Sequence, residues 1–184
     1  MTPAEAPPSD YRLLVPRDWF RIDLTMERWR HRLKAFVDKE SAAGGAPAEV
    51  ARGVWTSLRN TAEHARTHGA LEFFLKTEVP GDSVLPASLL ISMAPVPRGA
   101  APEADDLAEA LKRRAVHEAD VEAIVLPAGC TVRVRTRTTL DFHIRMPGGV
   151  GYLHLAFALP LSGTAGPMGD LCEAMAHSLR WVGT

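Results

Sequence analysis

Residues Val132 to Met146 contain the densest group of chemically capable side chains in the sequence. Polar and apolar residues alternate along this run, which is typical of a β-strand with one buried and one solvated face. The polar set is Arg133, Arg135, Arg137, Thr139, Asp141, His143 and Arg145. We therefore expect four arginines and one histidine on a single solvated face, where they could bind an anion.

The first three arginines of this run have a spacing that suits an extended anionic partner. Arg133, Arg135 and Arg137 would stand about 6–7 Å apart, because alternate residues of a strand share a face. This distance matches successive anionic groups of a ligand or acidic side chains of a partner strand. The alternative is an ordinary solubilising surface. Both interpretations stay open from the sequence.

A predicted hairpin places two histidines opposite each other. If Gly148-Gly149 is the loop, the strand register sets His143 against His154 and keeps the apolar residues together. Two imidazoles in this arrangement could share a metal or form a pH-sensitive contact. Only Asp141 could add a carboxylate and no cysteine belongs to the group. We therefore predict a polar cross-strand pair without a metal.

Two more histidines lie four residues apart on a predicted helix. Glu63 precedes His64 and His68, whereas a zinc protease needs a glutamate directly after the first histidine, where Ala65 stands here. We interpret both histidines as boundary residues near a helix end. The sequence also has no nucleophile elbow and no catalytic Cys/His arrangement. We expect no catalytic residue, no metal and no cofactor.

The first predicted helix, from about Thr25 to Glu40, is basic and amphipathic. Trp29 lies on its apolar stripe, and the basic residues are Arg28, Arg30, His31, Arg32 and Lys34. Such a face could bind anionic lipid or an acidic partner. Acidic residues in the same helix dilute the charge, which favours a solvated surface instead.

Composition restricts the classes of partner. The chain has 184 residues, with 21 basic against 22 acidic residues and a net charge of -1, which argues against bulk attraction to nucleic acid. No apolar run approaches the roughly 20 residues of a membrane span.

Residues 1–10 lack the features of a signal peptide, so we expect a flexible tail, one domain over residues 11–184, and cytoplasmic residence. Cys130 and Cys172 have no metal or redox spacing and are expected to be reduced.

The order of predicted elements is β, αα, ββ, α, ββββ, α, which is typical of an α+β fold. The main predicted segments are a strand from Tyr11, helices Thr25 to Glu40 and Ala48 to His68, strands Leu71 to Val79 and Ala87 to Met93, a turn at Pro80 to Asp82, a short helix around Leu107 to Ala115, strands Val121 to Leu126 and Val132 to Met146, and a last helix Gly166 to Trp181 capped by Ser162 or Thr164. The longest strand would extend about 50 Å, so we expect it to bend or split near Thr136 to Thr139. One apolar side per strand predicts a twisted, mainly antiparallel sheet with helices on one face.

Three segments carry a resemblance to a known group of proteins: Tyr11 to Trp19, Leu85 to Ile91 and Ser178 to Trp181. Together they resemble uncharacterised actinobacterial proteins with a Mog1/PsbP-like α/β/α sandwich. The resemblance implies a sheet flanked by helices and an accessory or binding role. It also implies an association with type VII secretion genes, and it carries no catalytic residues over to this chain.

The leading functional hypothesis is a non-enzymatic accessory or adaptor protein that binds a protein partner through its basic faces. One alternative is a binding protein for a small anionic ligand, with Arg133, Arg135 or Arg137 at the mouth of a pocket between sheet and helices. Another is an enzyme of unrecognised type. The predicted binding residues are Arg133, Arg135, Arg137, His143, Arg145 and His154. No nucleic-acid partner is expected.

Overall fold

The structure, a computed structural model, describes residues 10–77, 87–96, 99–115 and 118–183. In chain order, its elements are β1 (Asp10–Arg12), β2 (Trp19–Asp23), α1 (Trp29–Ala43), α2 (Ala48–Thr67), β3 (Ala70–Lys76), β4 (Ser88–Pro95), α3 (Ala104–Arg114), β5 (Asp120–Leu126), β6 (Gly129–Arg135), β7 (Thr139–Arg145), a 3-10 helix (Pro147–Gly149), β8 (Gly151–Ala158), α4 (Pro167–His177) and β9 (Arg180–Val182). The predicted turn at Pro80 to Asp82 and residues 1–9 of the predicted tail lie outside the described residues.

Seven strands form one antiparallel sheet in the order β2-β3-β4-β8-β7-β6-β5. The short strands β1 and β9 pair separately as a two-stranded antiparallel ribbon. The α+β class and the mainly antiparallel sheet flanked by helices are therefore confirmed. None of the helices in the described ranges combines the length and apolar composition that a membrane crossing requires.

Helices cover both faces of the large sheet. We call the face under α1, α2 and α3 the front, and the face under α4 and the β1–β9 ribbon the back. The expectation that helices would cover one face alone is wrong, because several strands bury residues on both sides. In β3, Phe73 and Leu75 pack with α1 and α2, whereas Phe74 between them packs in the core that contains α4.

The long alternating run is two strands, as expected from its length. Strands β6 and β7 pair antiparallel, with Arg133 opposite Phe142 and Arg135 opposite Leu140. Opposite residues of a ladder lie on the same face. Both arginines therefore share the back face with the apolar side of β7. The prediction that they share a face with His143 is wrong, since the turn pairs odd-numbered with even-numbered residues and reverses the alternation.

The register between β7 and β8 is the predicted one. Ile144 pairs with Leu153, and His143 pairs with His154. The connection is a short 3-10 helix that follows Met146, rather than a two-residue loop. The backbone N–H of Met146 donates to the carbonyl of Gly151 at 2.9 Å, which closes the hairpin in the expected register.

The ends of two helices differ from prediction. Helix α1 begins at Trp29 instead of Thr25. Helix α4 ends at His177, because Arg180–Val182 leaves the helix to pair with β1. The predicted capping of α4 by Ser162 or Thr164 is also wrong: Gly166 occupies the N-cap without a side-chain bond, and the Thr164 hydroxyl donates to the carbonyl of Thr136 at 2.6 Å.

We predict that Gly169→Ala destabilises the protein by about 1–3 kcal/mol, because an extra methyl group would overpack an already filled interior. A Cβ at this position of α4 would lie 2.0 Å from the carbonyl oxygen of Thr164, which is backbone and cannot move aside cheaply. The matched control is Gly53→Ala in α2, where a Cβ would meet nothing within 4 Å. It should stabilise by about 0.5–1 kcal/mol. Urea denaturation measures both, and equal effects of the two substitutions would contradict the described packing.

Candidate ligand-binding cleft

The predicted binding residues are divided between separate parts of the structure. Arg133 and Arg135 lie on the back face beneath α4. The front-face group is His143, Arg145 and His154, which share one side of the β7–β8 ladder. Arg137 is exposed in the turn between β6 and β7. The six residues therefore do not form one surface, because the turn between β6 and β7 puts Arg133 and Arg135 on the face opposite to the histidines.

The two back-face arginines hold α4 against β6. Nη1 of Arg133 donates to Oε1 of Glu173 at 2.9 Å, and Nη2 of Arg135 donates to the same oxygen at 2.5 Å. Nη2 of Arg133 also donates to Glu122 on β5 at 2.6 Å. The Glu173 side chain is only 19% exposed, so these bonds are partly shielded from solvent. An anion would have to compete with Glu173 for these guanidinium groups.

Arg145 supports the segment that leads into α3. Its guanidinium pairs with Glu103 at 2.7 Å and donates to the carbonyl of Ala101 at 3.2 Å. The Tyr152 hydroxyl beside it donates to the carbonyl of Pro102 at 2.7 Å. Together these bonds attach the start of α3 to the front face. Arg145, which the sequence analysis predicts to bind a ligand, therefore stabilises the fold in this structure.

A cleft opens on the front face over the central strands. Helix α2 lies over β3, whereas α3 lies over β5 and β6, so β4, β8 and β7 run between them. The cleft has a volume of about 600 Å³. Its lining comes from α2 and the central strands: Asn60, Thr61, His64, Ala65, His68, Leu90, Ser92, Ala94, His143 and His154. The structure therefore brings into one cleft two histidine pairs that are far apart in the sequence.

The pair from the sheet is held in a fixed geometry. The rings of His143 and His154 stack with centroids 4.3 Å apart and planes 7° from parallel. Nε2 of His154 donates to Oδ1 of Asp141 at 2.8 Å, since a carboxylate can only accept. The tautomer this bond selects leaves Nδ1 of neutral His154 as an acceptor. The stacking and this hydrogen bond thus fix the positions of both rings, whose nitrogens are the polar groups of the pair.

Burial keeps His143 uncharged. Its pKa is lowered to about 4, chiefly by desolvation and also by the electrostatic influence of His154, while Asp141 acts in the opposite direction. At neutral pH the ring therefore carries one donor and one acceptor nitrogen. Within the described residues neither nitrogen has a hydrogen-bond partner, so both can serve a molecule in the cleft.

The pair from α2 lies at the end of the helix on the other wall. The rings of His64 and His68 are 4.4 Å apart and inclined by 43°. Nδ1 of His68 donates to the carbonyl of His64 at 2.8 Å, which leaves Nε2 of the neutral ring as an acceptor. Both side chains are exposed, as the boundary interpretation of the sequence predicts. Helical spacing alone could not show that they line the same cleft as the sheet histidines.

The remaining lining gives the cleft a mixed character. Leu90, Ala65 and Ala94 supply apolar surface, and the Ser92 hydroxyl has no hydrogen-bond partner among the described residues. Four histidines line the cleft, yet within the described ranges no group of three or more His, Cys, Asp or Glu could hold a metal ion. The arrangement suits an organic molecule that stacks and forms hydrogen bonds.

We predict that His143 makes the protein less stable as the pH falls from 6.5 to 4. The folded state lowers the pKa of this ring, so the unfolded state binds more protons in this window and stability rises with pH. The unfolding free energy should fall between pH 7 and pH 4.5, and this fall should be about 2 kcal/mol smaller in His143→Gln than in wild type. His31→Gln, at an exposed position of α1, is the control and should leave the loss unchanged. Identical pH profiles for wild type and His143→Gln would contradict the burial of a neutral ring.

We predict that Glu173→Gln destabilises the protein by roughly 1–3 kcal/mol, because it leaves two partly buried guanidinium groups without their shared carboxylate. Glu122→Gln is the matched control: the Glu122 side chain is 53% exposed and serves one arginine. Its effect should stay below about 1 kcal/mol. Chemical denaturation distinguishes the two, and a Glu173 effect no larger than that of Glu122 would show that the arginines do not hold α4.

Comparison with known proteins adds no relative from which a function could be transferred. The chain matches no family model, and no curated protein or solved structure shows significant similarity to it. The resemblance to Mog1/PsbP-like proteins therefore stays a prediction. The function has to be inferred from the geometry of the cleft itself.

Proposed function

We propose that this protein is a non-catalytic binding protein and that its ligand is a small planar molecule held in the cleft between α2 and the central strands. The observation that carries the proposal is the parallel His143–His154 pair exposed to a cleft of about 600 Å³. Small-molecule sites typically occupy about 300–1,000 Å³ and combine apolar walls with a few polar groups. The cleft has both properties.

Hydrogen bonding and stacking, rather than charge, would select this ligand. The lining contains no arginine, lysine or carboxylate side chain among the described residues. Parallel imidazole rings favour an offset-stacked aromatic ring. The nitrogens of His143 and the hydroxyl of Ser92 can then bond to donors and acceptors at the edge of that ring. The predicted preference for an anion depended on Arg133, Arg135 and Arg137, which do not line this cleft.

A second proposal keeps the accessory role and places a protein partner on β5. This strand is the last of the sheet, and its Val125 side chain is 78% exposed. An extended peptide can add to such an edge through backbone hydrogen bonds. The association with type VII secretion rests on the sequence resemblance alone and stays a prediction.

Ligand binding can be tested with a cleft-filling substitution. Adenine, indole and 4-hydroxybenzoate are titrated while the ring signals of His143 and His154 are followed by proton–carbon NMR. Thr61→Trp should fill the cleft and weaken any binding at least tenfold, because Thr61 is an exposed lining residue. Thr56→Trp, an exposed threonine outside the lining of the cleft, is the matched control and should bind like wild type.

We expect at least one probe to shift both histidine signals saturably in wild type and in Thr56→Trp. Saturable shifts that persist in Thr61→Trp would place binding elsewhere and overturn the proposal. If none of the probes binds, whereas a co-purifying protein is lost on Val125→Lys, the edge of β5 becomes the favoured binding surface.

A further inference from the structure

We infer that the β1–β9 ribbon holds a second, independent site, which binds an organic anion between Arg12 and Arg180. The register of the ribbon sets these two residues directly opposite each other. Like charges in this position destabilise a ladder. A carboxylate or phosphate group between the guanidinium groups would turn this repulsion into two charge-assisted contacts.

Both arginines lie on the outer side of the ribbon, because their neighbours point inward. The hydroxyl of Tyr11 donates to Glu72 of β3, and Nε1 of Trp181 donates to the carbonyl of Ala128 at 2.7 Å. Side chains of a strand alternate between its two sides. Arg12 and Arg180 therefore face away from the large sheet, where a solute can reach them.

Neither arginine has an acidic partner in the described part of the chain, which sets the pair apart from the arginines of the sheet. Arg133, Arg135 and Arg145 each pair with a glutamate. Arg12 has no side-chain hydrogen bond to another described residue. Arg180 is oriented instead by backbone carbonyls, since its Nη1 donates to His177 at 2.8 Å and to Leu179 at 2.7 Å. Its guanidinium is thus fixed in place without a full negative charge beside it.

The two guanidinium groups open onto a surface cavity of about 670 Å³. Leu14 supplies apolar surface, since its side chain is 75% exposed. The other lining residues are Ser178, Trp181, Val182 and Gly183. An anionic head group would contact the arginines, while an apolar body would cover Leu14. The chemistry therefore points to an aromatic or aliphatic carboxylate or phosphate ester rather than an inorganic ion.

Calorimetric titration at constant ionic strength tests this site. The probes are phenyl phosphate, benzoate and inorganic phosphate, and the proteins are wild type, Arg12→Gln and Arg180→Gln. The control is Arg17→Gln, an exposed arginine outside the cavity that changes the net charge equally. We expect phenyl phosphate or benzoate to bind wild type and Arg17→Gln alike. The dissociation constant should rise at least tenfold in Arg12→Gln and in Arg180→Gln.

A second measurement shows that a loss of binding is local. Without ligand, the urea midpoint of Arg12→Gln should equal or exceed that of wild type, because the repulsion between the two positive charges of Arg12 and Arg180 is relieved. The proposal is overturned if neither organic anion binds, if Arg17→Gln weakens binding as much as Arg12→Gln, or if inorganic phosphate binds as tightly as phenyl phosphate. The Thr61→Trp variant of the cleft should retain this binding, so the two sites can fail separately.

Discussion

The turn from Thr136 to Thr139 decides which side chains face each layer of the protein. The backbone N–H of Thr136 donates to the carbonyl of Thr139 at 2.9 Å, and their hydroxyl oxygens are 2.8 Å apart. The Thr164 hydroxyl fastens the same turn to the segment before α4. Because paired residues share a face, this reversal directs Arg133 toward α4 and His143 toward the cleft. A continuous strand would have put both on one surface.

This reversal separates the charged chemistry of the protein from its uncharged cleft. On the back, Glu173 neutralises two guanidinium groups and joins a helix to the sheet. On the front, no arginine lines the cleft within the described residues, and burial holds His143 neutral. A ligand in the cleft therefore meets hydrogen-bonding groups of low charge, whereas the two opposed arginines without an acidic partner in the described residues, Arg12 and Arg180, lie on the β1–β9 ribbon.

Local patterns in the sequence were sufficient to predict most elements. They also predicted the β7–β8 register, because that hairpin joins neighbouring segments and its alternation fixes the pairing of His143 with His154. They were insufficient where distant segments meet. The three-residue strands of the ribbon carry too little periodicity to reveal their pairing. Helical spacing showed that His64 and His68 share a side of α2, but the docking of α2 on the sheet decides what they face. The sequence prediction put Arg133 and Arg135 on the wrong face of the sheet, because alternation does not distinguish one long strand from a tight hairpin.

The floor of the cleft differs from the rest of the sheet in a way that packing does not require. On their back sides, β7 and β8 bury Phe142 and Leu155 completely. On their front sides, the same strands carry Asp141, His143 and His154. An apolar pair in place of the stacked imidazoles would carry no titratable group whose pKa is lowered by desolvation. Its contribution to stability would therefore stay the same in mildly acidic solution. In mildly acidic solution His143 therefore lowers the stability of the fold at the floor of the cleft. A local cost of this kind agrees with the proposed binding role of the cleft, because departures from optimal folding tend to lie at functional positions.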